Sequence, residues 1–394
     1  MKIKLASLFL FIVVMLIGCN NPASNGVQNI VDNVEAQFDY ALGEIEKVKT
    51  DSLLWPRSVE KGAITMVPSK DWTSGFFPGN LWMLYELTQN DKWKELAMDY
   101  TLPLEPEKWN DDNHDIGFKM YCSFGHAIKY SDDPKLKEIL IQSAKTLSTR
   151  YNPVVGCIRS WNSLTEQWAY PVIIDNMMNL ELLMWAAKET GNEGFREIAI
   201  KHAQTTMKNH FRDDYSCYHV VGYNPETGAA EKKNTHQGYA DDSDWTRGQG
   251  WALYGYTMMY RETGMEEFLN QAIHVAQYLI NEADIKNGDV PYWDFDAPNI
   301  PNEPKDASAA AVISSALFEL YQYSKDQEHY DVAKKLLDTM SSDDFFAKTG
   351  ENGGFLLKHS TGSKPYNSEI DVPLVYADYY FLESLIKYKA MHKI

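Results

Sequence analysis

The sequence predicts an all-α fold, an (α/α)6 toroid of six helical hairpins, and three observations carry that expectation. One helical phrase recurs along the chain, the turn inside each copy holds helix stop and start residues, and an unpaired amphipathic stretch lies near each end. In each copy an apolar helix meets a short polar turn and then a second, amphipathic helix. An open helical solenoid is the competing architecture for such a repeat.

Taken in order, the chain opens with Lys2 and Lys4 before a mostly apolar run from Leu5 to Gly18 that ends at Cys19. That run is shorter than the roughly 20 residues needed to span a bilayer, so residues 1–18 are expected to be a lipoprotein signal peptide. Cys19 would then be lipidated and tie the protein to a membrane. Residues 19–28, rich in Asn, Pro, Ala, Ser and Gly, are expected to be an unfolded tether. It carries no acidic cluster, which points to the periplasm or outer membrane of a Gram-negative bacterium.

From residue 29 to 394 no second linker interrupts the pattern, so a single domain is expected. It starts with an amphipathic stretch from Ile30 to Lys47. The clearest hairpins pair Leu84–Leu87 with Trp93–Ala97 and Ala127–Tyr130 with Leu136–Leu140. Three more run over Trp185–Ala199, Met259–Ala272 and Leu320–Ala333, and each turn carries Gly, Asp or Asn after Ser or Thr. A final amphipathic segment, Tyr379–Met391, can pair with the first to close a ring. Between hairpins lie long segments rich in Trp, Asp, Gly and Pro, such as Asp71–Gly79 and His219–Trp251. In a toroid these gather at one mouth, where function resides.

Composition narrows the chemistry. With 44% hydrophobic and 13% aromatic residues the chain can build a large core, into which most of its 11 Trp and 24 Tyr should go. Beyond Cys19 only Cys122, Cys157 and Cys217 remain, without C-x-x-C spacing, so at most one disulfide can form. A net charge of −18 leaves no basic stripe for nucleic acid. Long polyanions are repelled as well, so an acidic ligand must be short and met by local cations.

The ten histidines form no H-x-x-x-H or H-E-x-x-H pattern, and neither a serine nucleophile elbow nor a phosphate-binding glycine loop occurs. No metal or cofactor is implied. Attention falls instead on acids in apolar surroundings. Asp175, within Tyr170–Leu180, reads as a carboxylate at a buried helix entry, where it is costly unless paired, used, or serving as a helix N-cap. Asp115, in His114-Asp115-Ile116-Gly117-Phe118, precedes another apolar helix and has the same two readings. Two acids at one end of neighbouring inner helices would raise each other's proton affinity. In a third cluster, His236–Trp251, Arg247 lies between Trp245 and Trp251. It can present a guanidinium fork to a carboxylate, or pair with Asp241, Asp242 or Asp244 to hold its own loop.

Together the motifs W-T-S-G-F-F-P-G (72–79), H-D-I-G-F (114–118), P-V-I-I-D-N-M-M-N (171–179) and W-T-R-G-Q-G-W (245–251) resemble the unsaturated glucuronyl hydrolases, glycoside hydrolase family 88. The resemblance runs from about residue 30 to the end. Unsaturated rhamnogalacturonyl hydrolases, acting on pectic fragments, share the toroid and aspartates but usually carry Asn at the position of Gln249, which tilts the comparison to the glucuronyl branch. A glycan-binding lipoprotein without catalysis is the reading of another class.

The resemblance implies that a 4,5-unsaturated uronic acid is removed from short acidic oligosaccharides of glycosaminoglycan or ulvan type, by hydration of the C4=C5 bond. It implies Asp175 as proton donor and acceptor and Asp115 as a second acid that tunes or positions. His219, Gln237, Arg247 and Trp251 resemble substrate contacts, Arg247 for an anionic group and Trp251 for stacking, and Trp72 looks like a pocket-lining ring. The 364–371 loop is harder to align, although Ser368 lies in it.

Overall fold

The computed structural model describes residues 22–393. Its principal helices, in chain order, are α1 (Pro22–Val48), α2 (Phe76–Thr88), α3 (Asp91–Thr101), α4 (Phe124–Tyr130), α5 (Pro134–Ser148), α6 (Leu180–Thr190), α7 (Glu193–Asn209), α8 (Thr246–Thr263), α9 (Glu266–Asn281), the short α10 (Ala283–Asn287), α11 (Ala307–Ser324), α12 (Gln327–Met340) and α13 (Val375–His392). A π-helical turn, Gly117–Tyr121, precedes α4, and a 3-10 turn, Ile174–Asn179, precedes α6.

All five internal hairpins form where the turn residues place them. Gly191 and Gly264 end α6 and α8 with φ of 69° and 68°, the left-handed conformation that a side chain resists. Gln89 and Lys325 adopt it at the ends of α2 and α11. Asn90, Asp133, Asn192 and Asp326 cap the helices that follow, each accepting a backbone N–H two residues on.

An inner ring of α2, α4, α6, α8, α11 and α13 closes on itself. Phe118 donates its N–H to the Asn179 side chain at 2.9 Å, joining the turns before α4 and α6. Gly117 makes that approach possible, since a Cβ there would lie 2.6 Å from the Asn179 Cα. The Arg261 guanidinium ties α8 to Glu319 of α11 at 2.7 Å, Ser314 and Ser384 join α11 to α13, and Asn80 of α2 donates to the Val375 carbonyl of α13. Outside stand α3, α5, α7, α9 and α12, each burying one face. The sixth outer position belongs to α1, where Phe38 meets Phe77 and Trp93 while Val27 and Ile30 border a groove with Leu337 and Leu385.

Two expectations are corrected. The tether was expected to reach residue 28, but α1 begins at Pro22 and Val27 is buried. A stripe of Val27, Val31, Val34 and Phe38 at helical spacing buries enough apolar surface to outweigh the polar composition around it. Cys19 and the signal peptide lie outside the described residues. Second, Tyr170–Ile173 is not itself helical but a strand, and it leads directly into the 3-10 turn before α6.

Short antiparallel ribbons fill the long connections. They are β1 (Trp55–Glu60) with β2 (Ala63–Val67), β3 (Tyr151–Asn152) with β4 (Cys157–Ile158), then β5 (Tyr170–Ile173), β6 (Val220–Tyr223) and β7 (Ala230–Asn234) in one sheet, and β8 (Ser360–Ser363) with β9 (Ser368–Val372). Cys122, Cys157 and Cys217 are all free thiols.

Candidate active site

One sheet brings distant residues together. β5 runs antiparallel to β6 with Ile173 opposite Val220, and β7 joins β6 with Asn234 opposite Val220. The same end of the sheet therefore delivers Asp175, His219, His236 and Gln237, and the Ile174 N–H donates to the His219 carbonyl at 3.0 Å. Residues 113–115 are tied alongside, because Asn113 bridges to Trp161 and the His114 N–H donates to the Ser160 carbonyl at 2.8 Å. Ser160 is itself fixed to β5, its hydroxyl accepting the Ile173 N–H at 2.9 Å.

These segments border a cavity of about 300 Å³ that Asp175, Asp115, Trp72, Gln237 and Arg247 all line. It lies where the inner helices begin. Trp72 precedes α2, Asp115 the turn before α4, and Asp175 the turn before α6; Arg247 opens α8, Asp306 caps α11 and Tyr376 sits in the first turn of α13. The positive ends of these helices converge on the cavity and favour an anion there. That local field is how a chain of net charge −18 can hold an acidic ligand.

Asp175 lies inside the 3-10 turn, whose cap position is Ile173, so the helix-cap role is not the one it takes. Its side chain is 14% exposed, and Oδ2 has no hydrogen-bond partner among the described residues. Burial pushes its carboxyl up to about 6 against the opposing pull of His114 and Arg247, and Asp115 adds the smallest contribution. Desolvation, more than the second acid, thus sets its proton affinity. Asp115 faces the cavity with its Oδ1 3.2 Å from His114 Nε2.

His219 Nδ1 accepts the backbone N–H groups of His236 at 3.0 Å and Gln237 at 3.1 Å. This places the ring proton on Nε2, which lies 3.6 Å from Asp175 Oδ2. Burial, reinforced by His236 and Arg247, keeps the ring well below its usual pKa and therefore neutral. The imidazole can donate towards Asp175 or a group between them, but cannot serve as a cation. Gln237 Nε2 donates to the Gly362 carbonyl at 3.2 Å.

Arg247 is almost fully buried, and its partner is none of the three loop acids. Its guanidinium donates to Asp306 Oδ2 at 2.6 Å and to the carbonyls of Thr361 at 2.7 Å and Gly362 at 2.6 Å. Asp241 instead accepts from Asn234 and Thr235, and Asp244 pairs with Arg212. Arg247 faces the cavity as a charge already anchored, lying over the Trp245 and Tyr376 rings at 4.7 and 5.4 Å.

Trp251 requires a correction. It is 1% exposed and packs against Phe118 and Tyr380 at 5.5 and 5.3 Å, one layer behind the cavity wall. As the sixth residue of α8, its ring points to the barrel core, so it supports Phe118 and cannot stack on a ligand. Trp72 does reach the wall, packed on Tyr376 and Phe118. Gln249 is also structural, exchanging two hydrogen bonds with the backbone of Cys217, two residues before His219.

Several lining residues carried no signal in the sequence. Trp161 sits in a polar loop, and His114 hides beside the more conspicuous Asp115. Arg57 of β1 grips Glu369 of β9 through two hydrogen bonds of 2.7 and 2.8 Å, and both line the cavity with Ser368. Only the latter had been within view. Among the described residues, no group of three or more His, Cys, Asp or Glu is placed to hold a metal.

Known proteins resemble this chain in sequence and in fold. The profile of Glycosyl Hydrolase Family 88 matches residues 45–380. The chain is 50% identical over 334 residues to an unsaturated glucuronyl hydrolase of Formosa agariphila, covering 84% of each chain. It is 29% identical to an unsaturated chondroitin disaccharide hydrolase of Streptococcus pneumoniae, over 92% of this chain and 90% of that one. A crystal structure of an unsaturated glucuronyl hydrolase specific for heparin superimposes with a TM-score of 0.90 at 44% identity, covering 94% of this chain and 99% of that one.

Proposed function

The chain belongs to Glycosyl Hydrolase Family 88, and from that premise we propose how this cavity carries out the work of an unsaturated glucuronyl hydrolase. The enzyme releases a 4,5-unsaturated uronic acid from the non-reducing end of short acidic oligosaccharides. Its substrates are of glycosaminoglycan type, in keeping with relatives named for heparin and chondroitin. Neither a rhamnogalacturonyl activity nor a non-catalytic role has comparable support.

Asp175 begins the cycle protonated and gives its proton to C4 of the C4=C5 bond. Positive charge develops at C5, shared with the ring oxygen. Water adds its oxygen to C5 and loses a proton to the Asp175 carboxylate, which restores the acid. The hemiketal then opens to a C5 ketone, and C1 expels the remaining sugar as an alcohol. One carboxyl that alternates between acid and base is sufficient for this sequence. No carboxylate attacks the anomeric carbon, so the spacing rule for retaining and inverting enzymes has no bearing.

The other residues serve that carboxyl. His219, fixed as the Nε2–H tautomer, donates towards Asp175 or the incoming water. Asp115 positions the sugar from the neighbouring segment, and Gln237 and Trp72 shape its pocket. Arg247, anchored by Asp306, supplies positive potential for the uronate carboxylate.

The observation that carries this reading is the largely buried carboxyl of Asp175, pushed up to about 6 inside the cavity, whose Oδ2 has no hydrogen-bond partner among the described residues. Mixing the protein with an unsaturated disaccharide should abolish the ultraviolet absorbance of the conjugated double bond. Asp175→Asn should leave it untouched, and continued turnover by that variant would remove the mechanism.

We also infer export as a lipoprotein held to a membrane through Cys19, on the strength of the Lys2 to Cys19 pattern. Radiolabelled palmitate should enter the wild-type protein and not Cys19→Ala; equal labelling would refute it.

A further inference from the structure

A row of rings leads out of the cavity. Trp161 and His236, both on its wall, lie 5.4 Å apart between centroids, and Tyr366 follows 4.7 Å beyond His236. Successive rings are tilted by 44° and 47° to one another. Its last member does not line the cavity and is 59% exposed.

An isolated exposed ring on a protein surface needs no explanation. Tyr366 differs in being held in place. It stands at the tip of the β8–β9 hairpin, where the adjoining Lys364 pairs with the buried Glu303. Its hydroxyl lies 3.0 Å from His236 Nδ1. A large aromatic face is thus fixed in the open, next to two rings that border the cavity. Its ordering has been completed before any ligand arrives, which lowers the cost of binding.

The occupant follows from continuity. Whatever extends from the cavity along this wall is joined to the sugar inside it, and the apolar C–H face of a pyranose is the surface that such a ring accepts. We propose that Tyr366 is the platform of an outer subsite that stacks a sugar of the substrate lying beyond the cavity, so that the enzyme favours unsaturated chains longer than a disaccharide. This rests on the catalytic reading above, because the wall matters only if a sugar chain starts in the cavity.

The test compares kcat/KM for an unsaturated disaccharide and an unsaturated tetrasaccharide of unsulfated chondroitin, in the wild type, Tyr366→Ala and Tyr366→Phe. The wild type should prefer the tetrasaccharide. Tyr366→Ala should lower the tetrasaccharide-to-disaccharide ratio by about three- to tenfold, the size of one aromatic contact, mainly through KM. Tyr366→Phe keeps the ring, loses the hydroxyl bond to His236, and should keep the ratio. An unchanged ratio in Tyr366→Ala overturns the subsite, as does an equal loss on both substrates, which would mean that Tyr366 only props His236. A ratio lost equally in Tyr366→Phe overturns it too. A wild type that turns over neither substrate defeats the catalytic reading itself, and the subsite with it.

Discussion

Replacing Asp175 with Asn should make the protein more stable at neutral pH while abolishing turnover. The carboxyl has an ordinary value of 3.8 and is pushed up to about 6 by burial in the fold. Between those values the folded state binds more protons than the unfolded state, so stability falls as pH rises through that window. A shift of about two units, at about 1.4 kcal/mol each, costs roughly 3 kcal/mol by pH 7. Asn has the same shape and no charge, so it escapes that cost. Urea unfolding of both proteins at pH 4 and pH 7 isolates the effect, since other titrating groups cancel in the comparison. Among these is Asp378, a second buried carboxyl pushed up to about 7. The variant should match the wild type near pH 4 and exceed it by up to about 3 kcal/mol at pH 7. A variant that gains nothing at pH 7, or gains equally at both pH values, would refute the account of Asp175 as a desolvated acid.

Other outcomes follow from the same geometry. The kcat/KM of the wild type should fall about tenfold per pH unit above roughly pH 6, as Asp175 loses its proton; a flat profile to pH 8 would contradict its role as acid. Trp161→Ala should raise KM several-fold, whereas Trp251→Phe should leave KM within about twofold because its ring lies behind Phe118. Reversal of that order in steady-state kinetics would restore Trp251 to the cavity wall. Asp306→Asn strands the Arg247 charge in the interior and should cost about 3 kcal/mol or more in unfolding free energy. An undiminished stability would show that the Thr361 and Gly362 carbonyls hold Arg247 unaided.

The barrel was legible because each hairpin turn is written in residues with one conformational meaning, such as Gly191-Asn192 and Gly264. Hydrophobic spacing also revealed α13 and most of α1. The first turns of α1 escaped because Asn, Ser and Gly mask a stripe that only Val27 and Val31 betray. The sheet was hidden for another reason. Tyr170–Ile173 is a four-residue apolar run, too short to show a period, and nothing local says that it pairs with Val220–Tyr223. The acids and Arg247 were found as polar groups in apolar company. Their partners were not, because Asp306 and Glu369 lie 59 and 312 residues from the arginines that they hold.

The three-stranded sheet has a consequence for how activity is lost. It hangs at the rim of the barrel, yet its one end orients the acid, the imidazole beside it and the backbone amides that fix that imidazole. Should this ribbon open by itself, every one of those orientations disappears at a stroke while the helices below stay intact. Mild denaturant would then silence the enzyme well before its helical signal changes, so that inactivation and global unfolding become two separate events.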